Sequence, residues 1–179
     1  MHLTLENLAR TLHLVADDKG LVVTFLIAFS RSEYALKRAG YFRPRPSYEG
    51  SDEGAEAPAT VIVNWPRFGR AIERRYRQGT DGVLDQAIAY LCEHPPQEQA
   101  IVDGALAWVD VQRKPYQSDI QWVLALISTV RNNLFHGGKF PGAAITGPER
   151  NAELLGKSLV VLEWCIEQSL EVEGYFLSD

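Results

Sequence analysis

The chain has 179 residues, a mass of 20.0 kDa and 46% hydrophobic side chains, which predicts a single globular domain over 1–179 with a sizeable core. Its 18 basic against 23 acidic side chains give a net charge of -5, which argues against a wholesale electrostatic coat for nucleic acid. The longest apolar run, Leu21 to Phe29, is too short to span a membrane and no basic-then-apolar leader opens the sequence, so a cytoplasmic protein with no membrane partner is expected.

Leu3, Leu5, Leu8, Leu12 and Val15 recur near helical spacing and predict a first amphipathic helix, broken at Asp17 to Gly20. A longer helix follows from Leu21 to about Ala39, with Leu26, Phe29 and Leu36 among its core positions, and Gly40 ends it. Residues 43–60 carry prolines, glycines and acids without a hydrophobic period, and read as a mobile loop within the domain. Val61 to Val63 is too short to classify. Asn64 can cap a helix whose inner face is Phe68, Ala71, Ile72 and Tyr76. Its other face, Arg67, Arg70, Arg74, Arg75 and Arg77, is either a solvated surface or a strip for RNA phosphates.

A helix from Val83 to about Glu93 turns Leu84, Ala87, Ile88 and Leu91 inward and stops at His94-Pro95-Pro96. Within 97–116 the pair Asp103-Gly104 predicts a small hairpin, with a short helix as the alternative. Ser118 or Asp119 caps a helix running to about His136, and a last helix from Pro148 to about Glu171 is expected to pack antiparallel to it. The expected fold is therefore an all-α bundle of five or six helices with one long loop and a minor hairpin. Trp65, Trp108, Trp122 and Trp164 read as core anchors. Cys92 and Cys165 read as reduced, buried thiols. The four histidines show no metal-ligand spacing, and phosphate-binding glycine loops are absent, so no metal and no cofactor is expected.

The sequence concentrates its chemistry in Ser128-Thr-Val-Arg-Asn-Asn-Leu-Phe-His-Gly-Gly-Lys139. Gly137-Gly138 stops the helix, so Arg131, Asn132 and His136 fall on its last turns. Asn132 and His136 are four apart and share a face, and the long Arg131 side chain can reach it. An arginine fork matches phosphate oxygens, and an imidazole titrating near neutrality can move a proton to or from a ribose hydroxyl or a leaving oxygen. The plain structural account is a capped helix end, with His136 at the negative pole of the macrodipole and Arg131 in a surface salt bridge. Glu33 is either half of an exposed pair with Lys37 or, with Ser30 or Tyr34, faces the Arg131 patch, where a carboxylate can orient the guanidinium or set the protonation of His136. Lys139 either contacts phosphate or is solvated near the helix end.

Arg131-Asn-Asn-Leu-Phe-His-Gly-Gly-Lys139 resembles the signature of the HEPN superfamily (higher eukaryotes and prokaryotes nucleotide-binding domain), in which arginine, a polar residue, three further residues and histidine close the third long helix. The resemblance implies a small helical bundle, often dimeric, and a metal-independent endoribonuclease that cleaves RNA at a homodimer cleft. It implies Arg131 at the scissile phosphate, His136 in acid/base chemistry and Asn132 in the polar position; Glu33 and Lys139, read from their positions in the sequence, are the substrate-binding candidates. A toxin, a defence effector and a housekeeping factor all fit, as do an inhibitory antitoxin or an activating partner. The tyrosine that some members carry two residues after the histidine is Gly138 here, which puts regulation through it in doubt. The alternative is a non-catalytic module of the same type binding RNA, a nucleotide or a protein.

Overall fold

The computed structural model describes residues 18–45, 60–135 and 148–178. The expected first helix at residues 3–15, the centre of the expected mobile loop, and His136 with Lys139 lie outside them. Helix α1 (Asp18–Arg38) buries Phe25, Ala28, Phe29, Ala35 and Leu36, whereas Leu26 is only partly covered. Two hydroxyls enter its buried face because each is satisfied one turn back: Thr24 donates to the Gly20 carbonyl at 2.8 Å and Ser32 to that of Ala28 at 2.7 Å. Gly40, at φ 81°, ends the helix. The Gly40 amide donates to Lys37 and the Tyr41 amide to Leu36, the paired bonds that satisfy the last carbonyls.

Strands β1 (Phe42–Pro44) and β2 (Val61–Val63) pair antiparallel, Phe42 opposite Val63. Val61 to Val63 is thereby assigned, and the expected loop is shorter than 43–60, because Arg43 and Pro44 are strand. Helix α2 (Trp65–Ile72) is capped by Asn64, whose side chain accepts from the Arg67 amide at 3.1 Å, and continues as a 3-10 turn over Glu73–Arg75. Phe68 and Ile72 are buried as expected, but Ala71 is exposed and Gly69 is buried in its place. Helix α3 (Gly82–Glu93) is capped by Asp81 and buries all four residues expected of it.

Strands β3 (Gln97–Val102) and β4 (Ala105–Asp110) form the expected hairpin, and the short-helix alternative falls away. Asp103 at φ 52° and Gly104 at φ 80° supply the two left-handed residues that a tight two-residue turn requires. Helix α4 (Asp119–Phe135) starts at a reciprocal cap: Ser118 Oγ accepts from the Gln121 amide, and Gln121 Oε1 accepts from the Ser118 amide. Ile120, Trp122, Val123, Leu124, Leu126, Ile127 and Val130 are all buried, so α4 is covered almost all round.

The single last helix expected to about Glu171 is two, α5 (Pro148–Glu167) and α6 (Leu170–Leu177), because Ser169 restarts the helix by accepting from the Val172 amide. Helix α5 packs on α4 as expected, but more extensively on α1 and α3. Trp122 is buried, Trp65 packs on Phe29 and Trp164 on Tyr76, but Trp108 lies half-exposed on β4 away from the core. Cys165 is fully buried and Cys92 half-buried. The described residues thus make a helix-dominated fold of six α-helices with two small antiparallel sheets, one sheet more than the minor hairpin expected beside the all-α bundle. No described helix is long and apolar enough to cross a membrane.

Candidate functional site

The last turn of α4 carries Arg131 and Asn132, and Phe135 is its final residue, so His136 is the next residue in the chain. Arg131 reaches across to α1. Its Nη2 lies 4.0 Å from Glu33 Oε2, and its guanidinium sits 5.7 Å from the centroid of the Phe29 ring. Its Nη1 donates to Asn132 Oδ1 at 3.1 Å. The ring offers a π face to the cation, and the carboxylate offers a counter-charge at the outer limit of ion pairing. Both charged side chains remain about one-third exposed, at 31% and 27%. The guanidinium is therefore oriented without being sealed from solvent.

Of the two readings of Glu33, the geometry has it beside Arg131. Ser30 and Tyr34, considered with it, are elsewhere: they border a groove of about 450 Å³ with Leu26, Ile27, Arg31 and Ser178. The α1 residue that accompanies Glu33 is Phe29, a buried core position whose contact with a guanidinium periodicity alone does not announce. His136 and Lys139 lie outside the described residues, so their distances to Arg131 are not part of this geometry.

The neighbouring asparagine has a different job. Asn133 is buried, and its Nδ2 donates to the Gln97 carbonyl at 2.7 Å, fastening the start of β3 to the end of α4. Between these elements is a polar recess of about 260 Å³ lined by Glu98, Gln99, Thr129, Asn132 and Asn133. Sequence reasoning missed it, because Glu98 and Gln99 belong to a hairpin that meets α4 through residues far apart in the chain, among them Asn133 and Gln97, 36 positions apart.

The arginine strip of α2 is partly absorbed by structure. Arg67 donates to the Gly40 carbonyl at 3.0 Å and covers the Tyr41 ring, and Arg77 caps the carbonyls of Arg74 and Tyr76. Arg70, Arg74 and Arg75 are exposed. Burial and the hydrogen-bonded carboxylate of Asp85 push the Tyr76 phenol up, and burial alone does the same to the Cys165 thiol, so neither is poised for chemistry near neutrality. Among the described residues no cluster of three or more histidine, cysteine or acidic side chains is placed to hold a metal ion.

No family model matches the chain, no curated protein matches it, and no solved structure matches it.

Proposed function

We propose that the chain is a metal-independent endoribonuclease of the HEPN type, acting as a homodimer. The observation that carries the reading is the guanidinium of Arg131, oriented by Glu33 and Phe29 yet open to solvent, at the end of the helix that the sequence continues into His136. In the reaction, a ribose 2′-oxygen attacks the adjacent phosphorus while an imidazole removes its proton. The bond from phosphorus to the 5′-oxygen breaks, and that oxygen takes a proton from a second acid. Arg131 stabilises the charge that accumulates on the phosphoryl oxygens. The products are a 2′,3′-cyclic phosphate and a 5′-hydroxyl.

One His136 supplies one proton-transfer group. A two-fold axis near the end of α4 would bring a second His136 and Arg131 to the same phosphate, which is the reason for proposing a dimer. The test is cleavage of mixed cellular RNA by the purified protein in chelator, with His136→Ala alongside. A rate about 10²- to 10⁴-fold lower for the variant is the expected size for a lost acid/base group. Equal cleavage by both proteins, or cleavage that leaves 3′-hydroxyl ends and requires magnesium, would sink the reading. An RNA-binding or protein-binding module without catalysis would instead retain its partner in the His136→Ala protein and cleave in neither form.

A further inference from the structure

We infer that the recess between β3 and the end of α4 is a base-recognition subsite that prefers guanine. The inference rests on the ribonuclease reading for its purpose, since it names which nucleotide would be seated beside Arg131. Its chemistry stands on the recess itself. All five described side chains that line it are polar, and the roles of Asn132, Asn133 and Thr129 are fixed by what they already bind.

Arginine can only donate, so the bond from Arg131 Nη1 turns Asn132 Oδ1 toward the guanidinium and leaves the Asn132 Nδ2 as the donor on the other side of the amide. A backbone carbonyl can only accept, so Asn133 spends an Nδ2 hydrogen on Gln97 and keeps Oδ1 as an acceptor. Thr129 spends its hydroxyl hydrogen on the Ala125 carbonyl at 3.2 Å, leaving lone pairs. Glu98 adds a carboxylate that accepts only, and among the described residues no ion pair neutralises it. Gln99 can serve either way.

The recess is therefore rich in acceptors, with a defined donor at the Asn132 edge. Among the described residues no cationic side chain lines it, and the acceptors that do line it serve a phosphate poorly. A lone carboxylate is also a weak cage for a divalent ion, which takes several oxygen ligands. A volume of about 260 Å³ is just below that of pockets for drug-sized ligands and suits one ring system. Among the four bases, guanine alone carries two adjacent donors, N1–H and the N2 amine, next to an acceptor, O6. Its donors match the Glu98 carboxylate and its O6 matches the Asn132 amide. Adenine and cytosine offer one amine on that edge, and uracil a single N3–H.

Because Asn132 touches both the recess and Arg131, a base seated there holds its own phosphate close to the guanidinium. The probe is a set of four fluorescent decamers of 2′-fluoro-uridine with a central guanosine, adenosine, cytidine or uridine analogue, titrated into the whole wild-type chain. Lacking 2′-hydroxyls, they cannot be cut by the proposed route, so binding is read apart from cleavage. The guanine decamer should bind about tenfold more tightly than the others, the size of one good bidentate base contact. Glu98→Gln, which replaces one acceptor by a donor that opposes guanine, should equalise the four. Equal affinities in the wild type, no binding to any decamer, or a preference that survives Glu98→Gln would overturn the assignment. Guanine preference without cleavage of natural RNA would remove the nuclease and keep the subsite, whereas His136-dependent cleavage without base preference would do the reverse.

Discussion

Arg31 and Arg131 each lay a guanidinium near a phenylalanine ring, at 5.9 Å from Phe176 and 5.7 Å from Phe29, but they are held by different kinds of partner. Arg31 donates from Nε and Nη2 to the Phe176 carbonyl at 2.9 and 2.7 Å, and again to Ser178, closing carbonyls at the end of α6 that no helical amide reaches. Arg131 meets a carboxylate at 4.0 Å and an amide side chain at 3.1 Å. Exchanging those backbone carbonyls for a substrate would leave the end of α6 unsatisfied. A carboxylate at the limit of ion pairing can give way to a phosphate. Partner type, more than charge count, separates an arginine tied to backbone from one that meets side chains.

The strongest way to break this contrast is Arg131→Ala. Cleavage should fall by about 10²- to 10³-fold, the usual effect of removing a transition-state donor. Its unfolding free energy in urea should drop by no more than about 1 kcal/mol, as for a half-exposed ion pair. A variant that melts early, or one that cleaves like the parent, would place Arg131 on the structural side. Arg31→Ala should do the opposite, losing about 2–3 kcal/mol with its charged hydrogen bonds to backbone while its folded fraction cleaves at the parent rate.

Glu33→Gln probes the carboxylate alone. Loss of a contact worth about 1 kcal/mol or less should slow single-turnover cleavage about fivefold at most, and hardly move the urea midpoint. The smallest expected signal is chemical. Burial raises the pKa of Cys165, so the folded chain holds that thiol proton more tightly than the unfolded chain does. Whatever stability this gives is full below the ordinary thiol range and fades as pH rises through it. At pH 8 an aromatic disulfide reagent should reach half-buried Cys92 first and Cys165 only on opening. That second phase should quicken in Arg31→Ala and stay near the parent rate in Arg131→Ala.

Much of this architecture is readable from local chemistry. Asn64 and Ser118 announce their helices because a side-chain oxygen at a cap has one job, and Asp103-Gly104 announces its turn because few residues accept two left-handed positions. Strands of three residues have no period to read, so β1 and β2 emerge only through their pairing. The break at Gln168 and Ser169 carries neither glycine nor proline, and the apolar pattern runs through it unmarked. At the site, the sequence placed Arg131 and Asn132 on the last turn of a helix and offered Glu33 as a partner. It could not supply Phe29 or the recess, because both depend on how elements distant in the chain meet.

Gly69 makes the aim of Arg131 depend on the opposite end of its helix. A Cβ at Gly69 would stand 3.1 Å from Gln121 Cγ and 3.2 Å from Leu124 Cδ1, so the hydrogen-only side chain sets how closely α2 seats the first turn of α4. From Gln121 to Arg131 the axis runs about 15 Å at 1.5 Å per residue. With that seat as a pivot, a tilt of about 4° over the same rise swings the guanidinium by about 1 Å. A displacement of that size costs about 10²-fold where reacting groups must be aligned. One missing methyl group, remote from every charged residue of the site, thus acts as the sighting bead of a long barrel.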